Sequence, residues 1–288
     1  MIKFSPLTQF RRRSRLYMGR SIHTVSPTRL RKRCVYMHMP KCGGTSVSEA
    51  LYATVPLHQK IGILDSVSIR KAMGVLKADV NNDIAFHDEG DNADEIAAFR
   101  EQLLVMHMCH NAQLIHGHFL FSEQAWKHFG KDYSYITILR DPVKRTISNY
   151  RFDKRIGHFF GDFDEYLESD HGRRQALHKL RYFSGMATVR PDQEAQAMAL
   201  AKQNMARFAL IGFMEDMDGF ARDFGKIFGV KPRIAHYNGA GKQDAPLQMT
   251  ESQRRRLEQL CAPDIELFEH SRRIAPGLMQ QELKVIAA

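Results

Sequence analysis

Short apolar runs punctuate the chain, each followed by a turn signal and then by a longer stretch of helical periodicity. The first run ends at Met39. Pro40, Lys41 and the Gly43-Gly44 pair follow, Thr45-Ser46 lead on, and Val47, Ala50 and Leu51 recur at helical spacing, so residues 35–51 predict strand, loop and helix. Residues 66–77 and 93–110 predict helices, the second with Ile96, Phe99, Leu103 and Met106 on one face. Between them the Asn- and Asp-rich stretch 79–94 has little apolar period and predicts a surface excursion. A second apolar run, 114–121, holds His116 and His118 either side of Gly117, on the same face if the run is a strand. A third, 133–139, is rich in β-formers and ends at Arg140-Asp141-Pro142. Pro142 disfavours helix for Asp141 and suits the first turn of the helix that follows, where Arg145, Ser148 and Asn149 fall on neighbouring turns.

The remainder repeats the alternation. Residues 192–208 predict a helix, 209–214 a buried strand, and 218–228 an amphipathic helix stopped by Gly229. Residues 237–244 are a Gly-rich loop, either a simple turn or a flap. Thr250 with Gln253 forms a capping-box pattern for a helix through Leu260, and Ala262-Pro263-Asp264 opens a last helix with Ile265, Leu267 and Phe268. Strands alternating with helices predict an α/β class, a three-layer α/β/α sandwich around a central parallel sheet. No internal repeat or low-complexity tract is present, and residues 34–288 are expected to form one domain.

The formal charge of +10 suggests nucleic acid until it is located. Residues 1–33 hold ten basic and no acidic side chains, and the other 32 basic residues balance all 32 acidic ones. The excess is therefore an N-terminal arm, expected to be flexible, and it has three readings: a solvated tail, a peripheral contact with an anionic surface, or an organelle-targeting segment. No stretch reaches the ~18 apolar residues of a membrane span and no signal-peptide core follows the first charges, so the expected compartment is the cytoplasm. Cys34, Cys42, Cys109 and Cys261 lie far apart with no CxxC pair and read as reduced thiols without a metal role.

Chemistry concentrates at the ends of the apolar runs. Lys41 and the backbone of Gly43, Gly44, Thr45 and Ser46 at a helix start suit a phosphate-like anion; the alternative is a Gly-Gly turn that serves as plain structure. The loop is not GxxxxGK[ST]: its Lys precedes the glycines, and the hydroxyl that would hold Mg²⁺ is out of place. Arg140 and Ser148 suit a second anion, or else a surface pair and a solvated helix face. Residues 151–183 interleave cations and aromatic rings, but six acids interrupt the field, which argues against nucleic acid.

The order Lys-Gly-Gly-Thr-Ser, His-Gly-His, Arg-Asp-Pro resembles the carbohydrate sulfotransferases that use 3′-phosphoadenylyl sulfate, especially the group with the heparan and uronyl 2-O-sulfotransferases. Pro40-Lys41-Cys42-Gly43-Gly44-Thr45-Ser46 is similar to the family's 5′-phosphosulfate loop, and residues 140–150 are similar to its 3′-phosphate motif. His116-Gly117-His118 resembles the HGH of the 2-O-sulfotransferases. Tyr182-Phe183-Ser184-Gly185, residues 210–215 and residues 262–267 resemble further landmarks, so the likeness runs from Cys34 to His270. Cys42 and Gly43 stand where many members have Thr and Gly or Ala, and the arm lacks the membrane anchor of animal Golgi enzymes, as in a bacterial-type soluble member.

The resemblance implies a P-loop-NTPase-like sulfotransferase fold and in-line transfer of a sulfuryl group to a hydroxyl, with adenosine 3′,5′-bisphosphate as product and no metal required. It implies His118 as general base, Lys41 and the loop from Cys42 to Ser46 on the leaving phosphate, and Arg140 and Ser148 on the 3′-phosphate. Asn238 and Lys242 would close over adenine or phosphate. His116 stays open between a catalytic role, acceptor contact and packing. The acceptor implied is a saccharide or glycoconjugate; oligomeric state is unread. The competing expectations are a P-loop-like kinase or NTPase and a non-catalytic polyanion-binding module.

Overall fold

The computed structural model describes residues 6–79, 92–234 and 247–287. Five strands, β1 (Arg33–Met37), β2 (Ile61–Leu64), β3 (Leu114–Gly117), β4 (Tyr133–Leu139) and β5 (Phe208–Phe213), form one sheet of order β2-β3-β1-β4-β5. Every neighbouring pair is parallel. Thirteen α-helices are described: α1 (Pro6–Val25), α2 (Gly44–Ala53), α3 (Ser66–Leu76), α4 (Ala93–Cys109), α5 (Glu123–Phe129), α6 (Pro142–Ile156), α7 (Phe163–Glu168), α8 (Asp170–Ala176), α9 (His178–Ser184), α10 (Glu194–Met205), α11 (Met217–Phe228), α12 (Glu251–Leu260) and α13 (Ala262–Ala287).

Period-two alternation places a core on each face of the sheet, as a sheet covered on both sides requires. From β1, Val35 and Met37 enter one core with residues of α4, α9 and α10, while Cys34 and Tyr36 enter the other with Val47 and Leu51 of α2 and Phe220 and Phe224 of α11. This is the expected three-layer α/β/α arrangement. A smaller cluster joins α6, α7, α8 and α12 through Tyr150, Tyr166 and Leu257. The capping box at Thr250 forms: its hydroxyl accepts from Gln253 N–H at 3.2 Å, and Gln253 Oε1 accepts from Thr250 N–H at 3.0 Å.

One expectation needs correction. Run 114–121 leaves the sheet after Gly117, because Phe121 N–H is taken by the carbonyl of Tyr182 at 2.8 Å, so His118 lies just beyond the strand. The basic segment contains α1, which packs against α2. Arg12 pairs with Glu49, and Arg20 donates to the carbonyls of Val55, Pro56 and Gln59 at 3.0, 3.1 and 3.0 Å. Gly19 lets α1 approach Ala53 closely, since a Cβ there would fall 2.8 Å from the alanine Cβ. A charge count registers these arginines but not the carbonyls they reach. Among the described residues no helix is long and apolar enough to cross a membrane. The four cysteines are free thiols, only Cys109 being exposed.

Candidate active site

β1 sits at the centre of the sheet, with β3 on one side and β4 on the other. Open α/β sheets bind ligands at the carboxyl ends of their strands where the order reverses. Here that edge brings together the segments after β1, β3 and β4, which carry Lys41, His118 and Arg140.

The segment after β1 is held in an unusual backbone. Lys41 has φ 67° and Gly43 φ 78°, so two left-handed residues flank Cys42. For a lysine this conformation is strained by roughly 1–3 kcal/mol and persists only where its surroundings hold it. Arg140 Nη1 donates to the Lys41 carbonyl at 3.3 Å and Arg145 Nε to the Pro40 carbonyl at 3.4 Å, so the segment after β4 clamps the loop. Arg145 is itself buried and anchored on Gln175, whose side-chain oxygen accepts at 2.7 Å. Gly43 caps α2 and has no side chain with which to satisfy the helix's first N–H groups, leaving the start of α2 suited to an anion.

The two left-handed turns send Cys42 inward. Its side chain is buried in the core and its N–H bonds the Met39 carbonyl at 3.3 Å, so it is not brought to the ligand side. Gly43 and Gly44 serve different purposes. Gly43 supplies the positive φ, whereas Gly44 makes room: a Cβ there would lie 1.7 Å from Nε2 of His38. Thr45 and Ser46 occupy the first turn of α2.

A cavity of about 270 Å³ opens beside the loop, lined by Lys41, Arg140, Lys144, Ile147, Ser148, Arg151, Phe152 and Arg155. Five of these eight side chains are cationic and none is acidic. Residues 144, 148, 151 and 155 recur at i, i+4, i+7 and i+11 along α6, one face of the helix. The acidic residue of that helix, Asp153, faces the interior, bonded to His171 Nε2 at 3.0 Å and to Asn149. Lys41 Nζ lies 4.3 Å from the centre of the Phe152 ring. Burial, followed by the neighbouring charges of Arg155 and Arg145, pushes the Lys41 ammonium down to about 8. A site so short of anions fits the phosphates of a nucleotide.

On the other side of β1 three imidazoles gather. The ring centres of His38 and His118 lie 4.4 Å apart and those of His38 and His116 5.1 Å apart, with Tyr36 stacked on His38 and His116. His118 Nδ1 lies 2.9 Å from the backbone carbonyl of His38. A carbonyl only accepts, so Nδ1 carries the proton and Nε2 is the basic nitrogen of neutral His118. His116 has both nitrogens engaged, Nδ1 with the Tyr52 hydroxyl at 2.6 Å and Nε2 with His38 Nδ1 at 3.2 Å. Burial and then the charge of His118 push His116 down to about 3, and burial with both neighbours pushes His38 well below the usual histidine range. Both rings are therefore neutral at ordinary pH.

Asp65, exposed just after β2, accepts from the Ser68 N–H and hydroxyl at 2.8 and 2.7 Å. Burial pushes its carboxyl up, but these bonds, the Val67 N–H and the nearby His118 together hold it below the usual carboxylate range.

Thus Lys41, Gly43, Gly44, Thr45, Ser46, Arg140, Ser148, His116 and His118 meet at one sheet edge, while Asn238 and Lys242 lie outside the described residues. The motif pattern missed His38, Tyr52 and Asp65. It also assigned Arg151 and Arg155 to a general basic patch, and the spacing 144-148-151-155 was the signal that places them on one face with Ser148. The remaining landmarks hold this edge together. Asp264 accepts from the N–H groups of Lys179 and Leu180 at 2.8 Å each, tying α9 to α13.

Among known families, residues 28–271 match the model of the Sulfotransferase family. No match is found among curated proteins.

Proposed function

As the chain belongs to the sulfotransferase family, we propose that it moves a sulfuryl group from 3′-phosphoadenylyl sulfate to a hydroxyl of a carbohydrate acceptor, without a metal ion. The observation that carries this reading is the pairing of a cationic cavity with a histidine of fixed tautomer on opposite sides of one loop. His118 Nε2 takes the proton of the acceptor hydroxyl as that oxygen bonds to sulfur, a task suited to a histidine and worth ~10²–10⁴ in rate. Lys41 and the first N–H groups of α2 stabilise the phosphate oxygen released as the bridging S–O bond breaks. The departing molecule is adenosine 3′,5′-bisphosphate, and the hydroxyl proton remains on His118. Asp65 favours the imidazolium so formed.

Arg140 and Ser148, with Arg151 and Arg155 on the same cavity wall, suit the 3′-phosphate, the group that separates this donor from ATP. Protein cations then supply the charge that Mg²⁺ supplies in phosphoryl transfer. A saccharide acceptor follows from the likeness of residues 40–46, 116–118 and 140–150 to carbohydrate-specific enzymes. The test is incubation with donor carrying radioactive sulfur and a panel of glycans, lipid-linked sugars and small alcohols. Label on a glycan is the expected result; label only on a non-carbohydrate alcohol would contradict the acceptor class.

A further inference from the structure

His38 Nε2 is buried and has no hydrogen-bond partner. Its ring edge rests on the first residue of α2, where a Cβ on Gly44 would fall 1.7 Å from Nε2 and 1.8 Å from Cε1. An unpartnered polar atom in such a place has given up its hydrogen bonds to water unless something binds it, and each instance in a folded protein calls for an explanation.

The hydrogen-bond chain behind His38 indicates which kind of atom it is. Tyr52 Oη stands 2.6 Å from His116 Nδ1, and His116 Nε2 stands 3.2 Å from His38 Nδ1. Taken as the donor, the half-buried phenol places its proton toward Nδ1 of His116, which accepts it. His116 then carries its own proton on Nε2 and donates to His38 Nδ1. With Nδ1 accepting, neutral His38 keeps its proton on Nε2, the unpartnered nitrogen beside the loop. The result is an N–H donor over the start of α2, where the backbone N–H groups already favour an anion.

We propose that His38 Nε2–H is a binding donor for the anion held by the loop, and that His116 and Tyr52 are positioning residues that keep the proton on that nitrogen. Within the sulfotransferase reading, on which this rests, the anion is the 5′-phosphosulfate of the donor. His38 then serves both halves of the site: its side chain binds the anion and its carbonyl fixes the tautomer of His118. This gives His116 a role distinct from that of a second base.

The test uses the full chain with isotope-labelled histidines and through-bond nitrogen NMR. Expected tautomers are Nε2–H for His38 and His116 and Nδ1–H for His118. Adenosine 3′,5′-bisphosphate or inorganic pyrophosphate should shift the His38 Nε2 signal. His38→Ala should weaken bisphosphate binding about tenfold or more, as for loss of a hydrogen bond to a charged group, while His38→Gln should recover much of it. Tyr52→Phe should let His38 populate both tautomers. A wild-type His38 protonated on Nδ1, or a bound bisphosphate that leaves its signal unmoved, would overturn the proposal. Equal bisphosphate affinity in wild type and His38→Ala also overturns it and leaves the sulfotransferase reading intact. Failure of the bisphosphate to bind while pyrophosphate moves the His38 signal has the opposite meaning: the donor reading falls and the His38 donor stands.

Discussion

The Nδ1–H of His118 donates to the backbone carbonyl of His38 across 2.9 Å, tying the segment after β3 to the residue that leads into the loop after β1. An imidazole whose tautomer is set by a main-chain carbonyl cannot rotate away without breaking that hydrogen bond. The ring is therefore held in position and in one neutral tautomer before any ligand arrives. His118→Ala should lower turnover by ~10²–10⁴, the range of a general base, and change the bisphosphate Kd by less than about threefold. Steady-state release of bisphosphate and calorimetry check the two halves. Turnover like that of wild type in this variant would remove His118 as the base.

Lys41 sets a pH dependence whose sign follows from its surroundings. Burial and the cations around it lower its pKa to about 8, so the free protein loses this charge as pH rises through that value. An anion in the cavity favours the ammonium and raises the pKa, so binding takes up a proton above about pH 8 and weakens as pH climbs from 8 to 10. Bisphosphate titrations across that range should show falling affinity in wild type and a flatter profile in Lys41→Met. An affinity that rises with pH in wild type would contradict the assignment.

In the proposed donor site, Ser148 is the residue whose removal tests recognition of the 3′-phosphate apart from upkeep of the loop. Arg140 lines the cavity and also donates to the Lys41 carbonyl, so Arg140→Ala should weaken both the bisphosphate and adenosine 5′-phosphate. Ser148→Ala removes only a hydroxyl from the cavity wall. It should weaken the bisphosphate roughly tenfold, as for one hydrogen bond to a charged group, and leave adenosine 5′-phosphate unchanged. Equal losses for both ligands in Ser148→Ala would place the second phosphate elsewhere.

The two loop glycines should respond differently. Gly44→Ala drives a methyl into the His38 ring and should cost about 1–3 kcal/mol in a denaturant melt, with most of that cost gone in a His38→Ala background. Gly43→Ala meets no neighbour but must hold φ 78°, which should cost roughly 1–2 kcal/mol in both backgrounds. Additive effects for Gly44 and His38 would show that the ring does not occupy the glycine's space.

Much of this architecture was legible along the chain because local signals agreed with the fold. The run ending at Leu139, Pro142 in the first turn of α6 and the Thr250–Gln253 box each act through neighbours in sequence. The order of strand-end residues was equally visible, since a parallel sheet carries them to one edge. His38 was hidden inside the first apolar run, where a single polar position reads as packing and its contacts with His116 and His118 are about 80 residues distant. Left-handed turns at Lys41 and Gly43 rotate Cys42 into the core, an orientation that a residue pattern does not reveal. Arg151 and Arg155 were visible as charge, yet a charge count does not say which helix face points into a cavity. A charge count is equally silent on the groups of α2 and of the segment after it that Arg12 and Arg20 reach.

The central claim, a donor site that recognises a 3′-phosphorylated nucleotide without a metal ion, is tested most directly by calorimetry of the full chain with adenosine 3′,5′-bisphosphate and with ATP, each with and without Mg²⁺. The account predicts that the bisphosphate binds equally well with and without the metal and far more tightly than ATP, and that Ser148→Ala narrows the difference. Tight binding of ATP that depends on Mg²⁺, with the bisphosphate weak, would contradict it.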